Sequence, residues 1–369
     1  MNINVFQPSL GIEELANVKH TFDLAWPGKG MKVEAFEYAF AEHLNVDSVH
    51  VVSVNSCTEG LFQVIQLLGI SPGDEVIIPT IHFVGAAQAV LSVGAKPVFC
   101  DVDSRTLNVK AQFIETRITR NTRAIIINHY GGVPCSMDEI VKYQKYDYLY
   151  IIEDAACAPA STYNGQAIGT FGDIGVWSFD AMKIISTGDG GMLYIRDKEL
   201  ADKARNQLYL GVTPTGLDGS KDKWWEYEVK IPGARRSIMN DIAAGIGLEQ
   251  LGKLSGFIRR RGQLYQLYDN GLLDTPCFLP SSIPPNTEQS FYFYWIQTPK
   301  RDELAYHLRE QGIYTTFRYW PLHLAYKTGD SLPNAEKAAR ETLLLPLHCG
   351  LSDDDVSYIC EKVREFFNE

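Results

Sequence analysis

One lysine stands out by its company. In "SFDAMKIISTGDGG" (178–191) Lys183 is flanked by Ala181, Met182, Ile184 and Ile185 and runs into a glycine turn. Burying an ammonium is costly, so a lysine carried inward tends to lose its proton. A neutral amine attacks carbonyls, and inside enzymes the usual carbonyl partner is pyridoxal 5'-phosphate (PLP). A snorkelling surface lysine is the plain alternative. Three more stretches bear on the choice. "IIEDAACAPAS" (151–161) ends an apolar run on Glu153 and Asp154. An aspartate there would pair with a protonated pyridine nitrogen and keep it protonated, or it would simply cap the next helix. "VNSCTEGLFQVI" (54–65) turns from a strand pattern into a helix pattern at Ser56-Cys57-Thr58. A helix start offers free N–H groups and the positive end of a dipole to a phosphate. "PTIHFVGAA" (79–87) places Phe83 after another strand pattern, where it could stack on a planar ring. Each feature has a bland reading; their order along the chain favours a phosphate turn, a stacking aromatic, a carboxylate and then the lysine.

The elements that must position these residues alternate. "VEAFEYAFAEHL", "EGLFQVIQLLGI" and "FVGAAQAVLSVG" have helical spacing, whereas "SVHVVSV", "DEVIIP", "KPVFCDV", "TRAIIINHY", "YLYIIED", "GVWSF" and "GGMLYIR" are short apolar runs rich in β-branched residues. Such alternation predicts an α/β fold with a parallel, doubly wound sheet covered by helices on both faces. Ligands of open α/β sheets bind at the carboxyl ends of the strands, where the four candidate segments fall. A long helical stretch, 240–272, joins this region to a smaller α+β part. There "QSFYFYWIQ" (289–297) reads as an aromatic strand and "RDELAYHLREQG" and "DDDVSYICEKVREFF" as amphipathic helices. We expect two domains, residues 1–250 and 251–369. The polar and aromatic segment 212–232 is expected to be a long loop, of a length that is often functional or mobile.

The bulk numbers narrow the function. With 369 residues the chain exceeds one ordinary core, and 45% hydrophobic with 21% charged residues is a globular balance. A formal net charge of -11 speaks against nucleic acid or an anionic membrane as partner, while allowing one basic pocket. Seven irregularly spaced cysteines without a CxxC pair give no metal site and suit a reducing, cytoplasmic compartment. The N-terminus lacks a basic start followed by an apolar run, and no window approaches the roughly 18 to 20 apolar residues of a membrane span.

These segments, with "AWPGKGMKVEAFEYAFAEHL", "HYGGVPCSMDEI", "NDIAAGIGLEQL", "TTFRYWPLHL" and "LPLHCGLSDDDVSYI", resemble nearly end to end the DegT/DnrJ/EryC1/StrS group of PLP-dependent nucleotide-sugar aminotransferases. The resemblance implies fold type I of the PLP transferases, with a mostly parallel seven-stranded sheet and a smaller C-terminal domain. It implies amino transfer from L-glutamate to a 3- or 4-keto-6-deoxy sugar nucleotide, in a homodimer with active sites at the interface. By position, Lys183 would bind the cofactor and shuttle protons, Asp154 would pair with the ring nitrogen, and Phe83 would stack on the ring. Cys57, Thr58, Glu59 by its backbone, and Ser178 would surround the phosphate. Arg236 of the neighbouring subunit would also reach it, with Arg235 as the alternative. Arg318, Tyr319 and His323 of "FRYWPLH", and Trp26 and Lys29, would lie on the substrate side. Burial beside PLP is expected to keep the Lys183 pKa low enough for the amine to act near neutral pH.

Two departures matter. The position after "EDAA", usually His or Gln in the group, is Cys157, and a thiol is a poor donor toward the cofactor ring. The segment before 240 is "GARRSI" rather than an aromatic-rich run, which implies a more basic pocket. The alternatives within the fold are a PLP-dependent sugar dehydratase, whose lysine is replaced by His, and a non-catalytic regulator that binds PLP or a sugar nucleotide. A Rossmann oxidoreductase would need G-x-G-x-x-G where this chain has "VNSCTEG".

Overall fold

The computed structural model describes residues 2–146, 148–212 and 225–368. Its centre is a seven-stranded sheet in the order Val51–Val54, Gly191–Ile195, Ile174–Ser178, Tyr150–Asp154, Thr122–Asn128, Glu75–Pro79, Lys96–Cys100. From Ile174–Ser178 to Lys96–Cys100 every neighbouring pair is parallel, and Gly191–Ile195 alone runs against both of its neighbours. The Val- and Ile-rich runs are buried on both faces, as strands sandwiched between helices must be. The sheet is therefore the mostly parallel one that the alternating pattern predicts. Its register sets Asp154 beside both Asn128 and Val176, so two strands end level and the third runs on to Ser178.

The helix Cys57–Leu67 begins where Ser56 caps it, its Oγ accepting the Glu59 N–H at 3.1 Å. Gly191 lets that helix start close to the neighbouring strand. A Cβ at this position would stand 2.7 Å from the Cys57 nitrogen.

Two clusters of buried side chains form the interior. One 32-residue helix, Asp241–Leu272, carries Leu254 in the first and Leu264, Tyr265 and Tyr268 in the second. Residue 250, the expected division, lies inside this helix. The second cluster takes one face of the antiparallel pair Tyr294–Gln297 and Thr342–Leu345, through Tyr294, Ile296, Leu343 and Leu345, while Trp295 and Leu344 belong to the first. It also takes in Ile3 from the N-terminus, whose N–H donates to Gly312 O at 2.9 Å. The expected strand 289–297 is shorter than its pattern. Phe291 has φ +50°, and the N–H groups of Ser290 and Tyr292 donate to the Gly132 and Gly131 carbonyls instead of to a ladder. Of the expected loop 212–232, residues 213–224 lie outside the described residues. Among the described residues no helix is long and apolar enough to cross a membrane.

Candidate active site

The parallel strands Glu75–Pro79, Thr122–Asn128, Tyr150–Asp154 and Ile174–Ser178 all lead to one cavity of about 360 Å³. Ser56, Cys57 and Thr58 form one wall, and His82 and Phe83 a second. Asp154 and Cys157, then Ser178, Asp180 and Lys183, follow the next two strands, and Tyr292, Arg318 and Tyr319 close the cavity from the C-terminal part of the chain.

Lys183 is set by a turn whose bonds come from Asp180. The Lys183 N–H donates to its carbonyl at 2.9 Å and the Met182 N–H to its Oδ1 at 2.9 Å. The amine faces the Cys157 sulfur at 3.7 Å and the Tyr292 ring, 4.9 Å from its centroid. Burial is the largest influence on the ammonium and disfavours it. The thiol of Cys157, the phenols of Tyr292 and Tyr319 and the carboxylate of Asp154 outweigh burial and hold the pKa well above the ordinary lysine value. The expected low value concerns the amine beside PLP; without cofactor, the groups that burial brings up to the amine are acids and favour the ammonium. Burial likewise pushes the Cys57 and Cys157 thiols and the Tyr292 phenol up.

Asp154 is buried at the end of its strand. Its Oδ1 accepts the Ala156 N–H at 3.0 Å, and its Oδ2 lies 3.4 Å from His82 Nε2. That nitrogen, on a side chain only 1% exposed, has no hydrogen-bond partner. The neighbouring carboxylate, Glu153, is engaged elsewhere. It accepts the Gly169 N–H at 2.9 Å and the Gly172 N–H at 2.5 Å, and it meets His129 Nε2 at 3.2 Å. The His129 Nδ1 accepts the Cys135 N–H at 3.1 Å, so Nε2 carries the proton and donates to Glu153.

The structure brings together Cys57, Thr58, Phe83, Asp154, Cys157, Ser178, Lys183, Arg318 and Tyr319. Phe83 stands edge-on to Tyr319, with centroids 5.6 Å apart. Glu59 does not line the cavity. Its N–H serves the Ser56 cap, and its carboxylate meets Ser237 at 2.7 Å and Arg235 at 3.0 Å. Cys57 and Thr58 therefore hold the N–H groups of the first turn that the cap leaves over. His323 is also excluded from the substrate side. It is buried behind the cavity, with Nδ1 2.7 Å from Thr80 Oγ1 and Nε2 3.5 Å from Glu336. Trp26 and Lys29 do not line the cavity of their own chain either. Trp26 is 59% exposed and donates to the Lys29 carbonyl, in a turn tied to Asp241 through Gly28 and Gly30. Arg236 is exposed, its guanidinium carbon 5.2 Å over the Tyr209 ring and outside its own chain's cavity, and Arg235 is engaged by Glu59 and Phe62.

Sequence reasoning missed Tyr292, because the period-2 aromatic run around it reads as uninterrupted strand. The contact of His82 with Asp154 was out of its reach as well, since it depends on two strands meeting.

An amine, a carboxylate and an anion-ready helix start thus share one cavity at the carboxyl ends of parallel strands. The model of the DegT/DnrJ/EryC1/StrS aminotransferase family matches residues 8–364. The chain belongs to that family. This aminotransferase is 46% identical over 371 residues to the dTDP-4-dehydro-2,3,6-trideoxy-D-glucose 4-aminotransferase of Saccharopolyspora spinosa, covering 98% of this chain and 96% of that one. Its structure is similar to the crystal structure of the aminotransferase TlmJ from Streptoalloteichus hindustanus. There the TM-score is 0.95 and the identity 49%, over 99% of this chain and 98% of that chain. It is also similar to Spr1654 from Streptococcus pneumoniae in its PLP-form, with TM-score 0.92 and 27% identity over 100% and 99% of the two chains.

Proposed function

We propose that the chain moves an amino group from L-glutamate to C4 of a 4-keto-6-deoxy sugar carried on a nucleoside diphosphate, with PLP as cofactor. The observation that carries this reading is the placement of Lys183 and Asp154 in one cavity, beside the start of the Cys57–Leu67 helix. The cavity fits PLP: the Asp154 carboxylate meets an orphaned buried nitrogen and is open to a cationic N–H, and the first helical turn is open to an anion. PLP, when bound, supplies an electron-accepting ring on which amino groups are exchanged. Lys183 would bind its aldehyde and then carry a proton on Nζ between carbon centres. Asp154 would keep the ring nitrogen protonated, Phe83 would flank the ring, and Cys57, Thr58 and Ser178 would hold the phosphate. Cys157, 3.7 Å from the amine, would take the place where other members of the group have a stronger donor. Arg318 and Tyr319 at the mouth would meet the substrate, and Arg236 would enter from a second copy of the chain. The choice of C4 and of a dTDP-linked sugar rests on the Saccharopolyspora relative. The retained Lys183 favours transfer over dehydration.

The test is an assay with PLP, L-glutamate and a dTDP-4-keto-6-deoxyhexose. Wild-type protein is expected to gain visible absorption with PLP and to release 2-oxoglutarate in step with amino sugar. Lys183→Ala is expected to do neither. A wild type that takes up no PLP and releases no 2-oxoglutarate overturns the reading.

A further inference from the structure

Arg261 lies on the Asp241–Leu272 helix as that helix passes into the second core, and its side chain is buried. Among the described residues, the titratable groups facing its guanidinium are the Cys349 thiol, the Tyr292 phenol and the His348 imidazole, with no carboxylate paired to it. It donates instead to three backbone carbonyls: Nε to Phe291 at 2.7 Å, and Nη2 to Tyr292 at 2.9 Å and to Leu347 at 2.8 Å. Desolvating a cation without an anion is expensive, and a residue that only filled this space would cost less if apolar.

What the three bonds hold is a turn with unusual backbone. Phe291 is in the left-handed region, φ +50°, which a bulky residue adopts only when its surroundings impose it. The turn is gripped from its other side by Gly131, whose carbonyl accepts the Tyr292 N–H at 2.9 Å and the Phe293 N–H at 3.3 Å. Gly262, next to Arg261, leaves room for the Phe291 ring; a Cβ there would stand 3.3 Å from it. The consequence is that Tyr292 leaves the line of its strand and lays its ring against the Lys183 amine, 4.9 Å from centroid to nitrogen. The other groups around that amine are the Cys157 thiol, the Tyr319 phenol and the Asp154 carboxylate, with Arg318 beyond the thiol. Tyr292 differs from them in presenting a ring face, which favours a cation. Its placement depends on a residue outside the cavity.

We propose that Arg261 is a positioning residue for Lys183: by holding the Phe291 and Tyr292 carbonyls it fixes the tyrosine ring against the amine, and so sets how readily that amine gives up its proton. The proposal rests on Lys183 being the reacting amine, yet it concerns the protein without cofactor and can be tested there. The probe is acetic anhydride. Its rate of acylation of Lys183, followed by mass spectrometry across pH, titrates the amine directly. Removing a ring that favours the ammonium lowers the amine pKa, so Tyr292→Leu is expected to shift the titration down by roughly half to one and a half pH units. Tyr292→Phe, which keeps the ring and loses only the phenol, is expected to shift less than Tyr292→Leu. Arg261→Met is expected to shift in the same direction as Tyr292→Leu, with Arg261→Lys between it and wild type. Should Arg261→Met fail to fold, Arg261→Lys and Gly262→Ala, which crowds the Phe291 ring, carry the test with smaller downward shifts. Titrations unchanged from wild type in both, or in Tyr292→Leu, overturn the proposal. PLP uptake and 2-oxoglutarate release by the wild type test the aminotransferase reading separately.

Discussion

At the residue scale, the site is a set of charges held where water is scarce. Asp154 is buried, has one backbone N–H on Oδ1, and turns its other oxygen toward His82. Leaving one partner of a buried ion pair uncompensated costs about 3–5 kcal/mol. Asp154→Asn is therefore expected to weaken PLP binding by roughly two to three orders of magnitude, measured by titrating the cofactor into the protein. An unchanged dissociation constant would place the ring nitrogen elsewhere. The same scale separates the two adjacent carboxylates. Glu153 spends its oxygens on Gly169, Gly172 and His129, so Glu153→Gln is expected to act on stability more than on cofactor affinity, with thermal unfolding and PLP titration as the paired measurements.

At the element scale, the start of the Cys57–Leu67 helix is positioned by a strand that runs against its neighbours. Gly191→Ala would put a Cβ 2.7 Å from the Cys57 nitrogen, a backbone atom that cannot turn aside as a side chain does. The variant is expected to bind PLP and inorganic phosphate at least tenfold more weakly while keeping most of its helix content; phosphate affinity equal to wild type would remove that helix start from the phosphate site. The helix Ile12–Asp23 is tied to the long helix Asp241–Leu272 through Glu14, which accepts from Gly11 N, Gln250 and Lys253 at 2.7, 2.7 and 2.6 Å. Burial pushes the Glu14 carboxyl up, but these bonds outweigh it and hold the pKa down to about 2, against 4.5 ordinarily. A carboxyl with a depressed folded-state pKa stabilises the fold above its unfolded value, and that contribution fades as pH falls from about 4.5 toward 2. Melting temperatures of wild type and Glu14→Gln are therefore expected to differ at pH 7 and to converge on acidification through that window.

At the scale of the whole molecule, one chain places Arg236, Trp26 and Lys29 outside its own cavity. Apolar side chains of the N-terminal segment, among them Ile12, Leu15, Phe22 and Trp26, are more than half exposed. The proposed entry of Arg236 from a second copy of the chain would give these residues a partner. If Arg236 serves the neighbour's site, Lys183→Ala and Arg236→Ala proteins are each inactive alone. Mixed under conditions that allow subunits to exchange, they are expected to recover activity, because one hybrid site contains both native residues. Absence of recovery from variants shown to exchange would confine each site to one chain.

Much of this was legible in the chain. Alternating runs such as "DEVIIP" and "FVGAAQAVLSVG" determine the sheet and its covering helices, because burial on one or two faces leaves a local period in the residues. The motifs around Thr58, Phe83, Asp154 and Lys183 stand at strand ends, and a parallel sheet brings such ends to one edge whatever its details. Tertiary structure decided the rest. Tyr292 reaches Lys183 across more than a hundred residues of chain, Arg261 reaches Tyr292 from another helix, and the acids around the amine raise its pKa where burial alone would lower it. No local period encodes such meetings, since they depend on how segments distant in the chain pack against each other rather than on what any one segment buries.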